Sequence, residues 1–166
     1  MGEGEEIMRY FDLHCDTMTE CYLERKPLRR NSLHVDLERS AALETYVQCY
    51  AVWIPDDLRG PAAFERFCQI ADHLDWEVSE NSDLLDRCRE PGDLARTEAA
   101  GKRGAVLTVE NGAALGGDLE HIAELQRRGV KMCTLTWNGE NELGRGVMAP
   151  GTGGLTEFGK QAVTRM

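Results

Sequence analysis

Three observations predict an α/β fold with a parallel sheet. Runs rich in β-branched and aromatic residues alternate with stretches of helical periodicity, which implies crossover connections between parallel strands. One run, "AVLTV", is apolar throughout, as strands covered on both faces are. The chain, at 166 residues, is long enough for one domain with a sizeable core. An open doubly wound sheet and the front of a (β/α)8 barrel both fit that pattern. A complete barrel takes about 250 residues, about 200 at the least. Four strands and a last helix that reaches the final residue uncapped therefore predict a truncated N-terminal half of a (β/α)8 TIM barrel, one domain piece over residues 1–166.

The elements follow in order. "IMRYFDLHC" reads as the first strand, and "RRNSLHVDLERSAAL" as a polar loop with a short helix. "TYVQCYAVWI", Thr45 to Ile54, is β-branched and aromatic, and Pro55 stops it as the second strand. Next comes an amphipathic helix. It opens with Gly60 and has Pro61 at its first helical position, and Phe64, Phe67, Cys68, Ala71, Leu74 and Val78 recur at helical spacing. "PGDLARTEAAGK" is a short helix ending near Gly101. Ala105 to Val109 form the third strand, which ends at Glu110. A helix capped by Asp118 follows, with Leu119, Ile122, Ala123 and Leu125 or Gln126 on its inner stripe, and Gly129 closes it. "VKMCTLTWN" is the fourth strand, "GENELGRGVMAPGTGG" a Gly-rich loop, and "LTEFGKQAVTRM" a further helix with Thr156 as its cap.

Composition narrows the function classes. Apolar residues make up 42% of the chain, enough to fold, and the net charge of −10 argues against nucleic acid, which needs a basic face. No segment approaches the ~18 continuous apolar residues of a membrane span. The acidic start, "MGEGEEIMRY", lacks the basic-then-apolar order of a signal peptide, and its acids argue against myristoylation at Gly2. Six cysteines without a CxxC pair fit reduced thiols, and the expected location is the cytoplasm.

Chemistry collects at the strand ends. In "FDLHCDT", His14 and Asp16 stand two apart, so strand alternation would turn both to one side and Cys15 to the other. At the carboxyl end of a barrel strand both would point into the mouth, where barrel active sites lie, and imidazole nitrogen and carboxylate oxygen are suitable zinc ligands. A bare HxD also arises at ordinary polar strand ends. Glu110 strengthens the metal reading, because it ends an otherwise apolar strand; it could also solvate or cap a turn. One carboxylate can bridge two cations, and two metals about 3.5–4 Å apart can activate a shared water as a nucleophile near neutral pH. At the fourth strand end, Trp137 offers an apolar pocket wall or core, and Asn138 a substrate hydrogen bond or a turn contact. His34, His73 and His121 read as surface or packing histidines.

The stretches "DLHCDT", "VENGAAL", "TLTWNGENELGRG" and "GLTEFGKQAVTRM" resemble, in order and spacing, the membrane dipeptidase (renal dipeptidase) family of zinc metallopeptidases, from about Asp12 to the last residue. The resemblance implies a (β/α)8 barrel of the metal-dependent amidohydrolase type with two zinc ions per complete site. By motif, His14 and Asp16 correspond to ligands of one zinc and Glu110 to the carboxylate bridging both; Trp137 and Asn138 fall in the substrate-binding region. The family hydrolyses dipeptides, often with a D-residue on the carboxyl side. At the position of Trp137 the animal enzymes carry a substrate-contacting His, whereas bacterial-looking relatives often carry Trp. The family's two further zinc-binding histidines, substrate-binding Arg and proton-handling Asp come from later strands and have no counterpart among these 166 residues. The chain alone is therefore expected to be inactive, and its open half barrel to need the remaining half, a partner copy, as in a homodimer, or much tolerance of exposed surface. Two rivals remain: a related amidohydrolase acting on a non-peptide amide, and a non-catalytic α/β ligand-binding module.

Overall fold

A computed structural model describes residues 9–166. Five parallel strands form one sheet: β1 (Arg9–Cys15), β2 (Thr45–Trp53), β3 (Leu85–Arg87), β4 (Arg103–Glu110) and β5 (Val130–Cys133). β1 pairs with β2 and β2 with β4. The far edge of β4 is shared, β3 lying against Arg103–Ala105 and β5 against Leu107–Val109. The sequence reading contained four of these strands. β3 escaped it because a three-residue strand carries no period, and Leu85 is its one apolar residue. The first expected strand begins at Ile7, and its first two residues, with Gly2, lie outside the described residues.

Helices α1 and α2 pack on one face of the sheet. α1 (Thr17–Glu24) follows β1 directly, and α2 (Gly60–Glu80) crosses from β2 toward β3. Phe67, Ile70, Ala71 and Leu74 of α2 and Met18 and Cys21 of α1 meet Tyr50, Val52, Ala105, Leu107 and Val109 in the main core. The opposite face holds a small cluster of Val47, Cys49, Cys88 and Val106, with Leu94 of α3 (Pro91–Ala99) against it. Beyond that cluster the face is bare: Phe11 and Leu13 of β1 and Met132 of β5 are exposed.

Three expectations are corrected. Helix α4 (His121–Arg127) does not start at Asp118. The Asp118 carboxylate instead accepts the backbone N–H of Glu120, which makes a turn that delays the helix. The fourth strand stops at Cys133, so Trp137 and Asn138 lie in a loop. There the chain crosses the end of β4 so closely that a side chain at Gly112 would meet the Leu135 carbonyl at 2.9 Å. Pro61 stands at the second position of α2, one later than the first. The Thr156 cap is as expected: its side chain accepts the Gly159 N–H at the start of α5 (Glu157–Arg165). Gly159 itself allows the Gly-rich loop to touch the helix, since a Cβ there would overlap the Leu143 carbonyl.

Candidate metal centre

Neighbouring residues of parallel strands in register share a face, and β2 and β4 pair with Trp53 opposite Glu110. Both therefore stand at the carboxyl ends of their strands, on the face opposite α1 and α2. β1 reaches the same rim by a different route. Its register shifts between Asp12 and Cys15, and Cys15 turns into the main core. Asp16 is not a strand residue at all: it is the N-cap position of α1, with φ −90° and ψ 1°. His14 and Asp16 thus converge because the chain turns from strand to helix between them, and not by simple strand alternation.

The result is a tight trio. His14 Nε2 lies 3.5 Å from Asp16 Oδ1 and 3.5 Å from Glu110 Oε2, and one ligand atom from each residue falls within 4.8 Å of the others. His14 and Asp16 are about half exposed at the side chain, while Glu110 is mostly buried. Burial raises the Glu110 carboxyl above its ordinary range, and the adjacent Asp16 pushes it the same way against the pull of His14. Asp16 Oδ1 is buried and receives no hydrogen bond. A buried, unpaired carboxylate oxygen beside a second carboxyl group and an imidazole nitrogen fits a divalent cation, which would neutralise the acids and satisfy the oxygen. These three residues supply nitrogen and oxygen donors of the kind zinc accepts.

Glu110 is held by the residue after it. Asn111 is fully buried at φ +83°, a left-handed conformation that a non-glycine residue adopts only under constraint. Its amide nitrogen donates to the Ile54 carbonyl, its oxygen accepts from Ala113 N and Asn141 Nδ2, and its own N–H donates to Thr134 Oγ1. The ends of β2 and β4 and the loop after β5 are thereby tied together at the base of Glu110. The sequence reading did not pick out Asn111; a polar residue between an apolar strand and a glycine was its one signal.

Trp137 borders a cavity of about 530 Å³ together with Asp16 and Glu110, and its ring meets that of Trp53 edge-on with centroids 5.2 Å apart. Asn138 does not line that cavity; its backbone carbonyl accepts the Met148 N–H and so holds the loop. His73 and His121 pack as expected, against Tyr22 and Trp76 and against Phe64 respectively. His34, read as a surface or packing residue, is exposed and borders a second cavity that shares His14 and Asp16 with the trio.

Residues 5–166 match the sequence model of the membrane dipeptidase family, peptidase family M19. The chain belongs to that family. Solved structures agree in fold. A metallopeptidase from Rhodobacter sphaeroides, liganded with a phosphinate mimic of the dipeptide L-Ala-D-Ala, superposes with a TM-score of 0.81 at 21% identity, covering 96% of this chain and 56% of its own. A dipeptidase described as an M19 metallopeptidase gives 0.80 at 20% identity, over 96% and 54%. The probable dipeptidase PvdM from Pseudomonas aeruginosa gives 0.67 at 22% identity, over 83% and 39%. The chain thus spans about half the length of the first two.

Proposed function

We propose that the complete protein is a zinc-dependent dipeptidase, and that these 166 residues are the N-terminal half of its (β/α)8 barrel. The single observation that carries this reading is the meeting of His14 at the end of β1, Asp16 at the start of α1 and Glu110 at the end of β4, far apart in sequence, at one rim of the sheet. Membership of a metallopeptidase family supports the metal, and the donor set supports zinc. His14 and Asp16 would hold one cation, and Glu110, set deeper, would be shared with a second. Bound there, divalent cations activate a water molecule and polarise the scissile carbonyl. The chain's own residues do the rest. Asn111 ties down the chain directly after Glu110, and Trp53 and Trp137 wall the cavity beside it.

A dipeptide is the substrate this reading favours; N-acyl amino acids are the comparison that would displace it. The six thiols, all free, fit a reducing compartment, and no described helix is long and apolar enough to cross a membrane. A cytoplasmic location and a homodimer belong to the same proposal.

The deciding experiment measures zinc retained after dialysis by the chain and by Glu110→Ala, with circular dichroism as the control for folding. The parent is expected to retain zinc, and the variant to bind it more than about a hundredfold more weakly, since even groups that merely support a ligand cost 10–100-fold. Equal retention by a folded variant overturns the metal centre. With zinc added, L-Ala-D-Ala should not be turned over by the 166 residues alone; robust turnover overturns the view that the chain is inactive by itself.

A further inference from the structure

The cavity beside the trio carries more acid than a metal centre needs. Besides Asp16 and Glu110 it is lined by Glu20 and Glu24, four residues apart on one face of α1, and by the rings of Trp53 and Trp137. Among the described residues no lysine or arginine lines it. Glu24 is paired from outside with Lys26 at 2.6 Å, whereas Glu20 forms no ion pair among the described residues. Neither glutamate belongs to the metal-binding trio. The Trp53 indole N–H is buried and has no acceptor among the described residues. Two aromatic walls and two carboxylates off the metal centre are the chemistry that recognises an organic cation on an aliphatic stem: the rings take the methylenes and attract the charge, and the acids pair with it.

We propose that Glu20 and Glu24, with Trp53 and Trp137, form a subsite for the cationic side chain of a lysine- or arginine-containing dipeptide. This rests on the reading of the trio as a hydrolytic metal centre and adds the substrate class. At about 530 Å³ the cavity lies within the range that holds a small ligand. Its glutamates offset the repulsion that metal ions would otherwise exert on a basic side chain.

The test uses binding, so that it does not depend on turnover. Of the three tryptophans, Trp53 and Trp137 line the cavity and Trp76 lies away from it, so a Trp76→Phe background makes indole fluorescence report on the site. Zinc-loaded protein is titrated with Lys-Ala and Ala-Lys and with their uncharged norleucine counterparts. A lysyl peptide is expected to bind about tenfold more tightly than its norleucyl partner, the size of one partly desolvated cation–aromatic and ion-pair contact. Glu20→Gln combined with Glu24→Gln should abolish that preference and leave zinc retention unchanged. Equal binding of lysyl and norleucyl peptides, a preference that survives the double substitution, or no response to any of the four peptides overturns the subsite. Zinc is measured in the same samples. Protein that holds no zinc overturns the proposed function, whereas protein that holds zinc without discriminating the peptides overturns this inference alone.

Discussion

The two central strands, β2 and β4, and two of the strands beside them, β1 and β5, are built to different standards, and the candidate site straddles them. β2 and β4 are buried along nearly their whole length on both faces. β1 is exposed at most positions, and so is half of β5. Glu110 ends a buried central strand and is backed by Asn111, whereas His14 and Asp16 sit at the end of an exposed strand where it breaks into α1. One residue of the trio therefore comes from the most completely buried part of the sheet and two from a part with little packing on one side. That contrast assigns the work of fixing the site's position to β4, with β1 adapting to it.

The sharpest way to break the contrast is in the centre. Leu107 is fully buried in the middle of β4, and Leu107→Ala should destabilise the chain by about 2–5 kcal/mol through lost burial and a residual cavity. Urea unfolding followed by circular dichroism measures it, and a loss below about 1 kcal/mol would show that the central strands are not the rigid element. Next in size is the link between β4 and the trio. Asn111→Ala removes one amide nitrogen and one oxygen that together serve four partners, and keeps the strained φ, at a cost of about 1–3 kcal/mol. Asn111→Gly loses the same bonds but relieves the backbone, so it should be less harmful by about 1 kcal/mol. Both should weaken zinc binding while His14 and Asp16 are untouched; unchanged zinc affinity in a folded variant would separate Asn111 from the site.

The same contrast explains what could be read from the sequence. β2, β4 and α2 were legible because their signals are local: β-branched runs, an unbroken apolar stretch, and a helical period sustained for twenty-one residues. β3 and the turn at Asp118 were not, being too short to carry a period. His14, Asp16 and Glu110 stood out as polar residues at strand ends, yet their meeting depends on the register shift in β1 and on Asp16 leaving the strand. Trp53 was hidden for a similar reason. It reads as one more aromatic in an aromatic strand, and only its pairing opposite Glu110 brings it to the rim. Glu20 and Glu24 came into view only with α1, whose weak apolar pattern does not announce a helix.

A smaller effect comes from the layer that covers the central strands. Glu77 of α2 is buried, accepting hydrogen bonds from Leu28 N and Asn81 Nδ2. Burial nonetheless raises its pKa, and His73, 3.7 Å away, is itself pushed toward the neutral form by burial. A carboxyl group whose folded-state pKa is raised favours the fold below its unfolded pKa and loses that contribution as pH rises through the folded value. Glu77→Gln, which imitates the protonated side chain, should therefore gain in melting temperature relative to the parent as pH goes from 4.5 to 7. A difference that is flat or falls over that range would mean that the hydrogen bonds outweigh the burial.

The smallest expected effect lies on the bare face. Leu13 is 64% exposed on β1, against 0% for Leu107 in β4. Removing its apolar surface from water contributes little to the folded state, so Leu13→Ser should shift the unfolding free energy by no more than about 0.5 kcal/mol. That near-neutral value is informative because Leu13 precedes His14. If β1 is the adaptable side of the site, zinc affinity should survive the substitution as well as stability does. A loss comparable to that of Leu107→Ala would mean that Leu13 is covered in solution by another surface, and the distinction between a packed strand and a yielding one would then fail at the position where it is most pronounced.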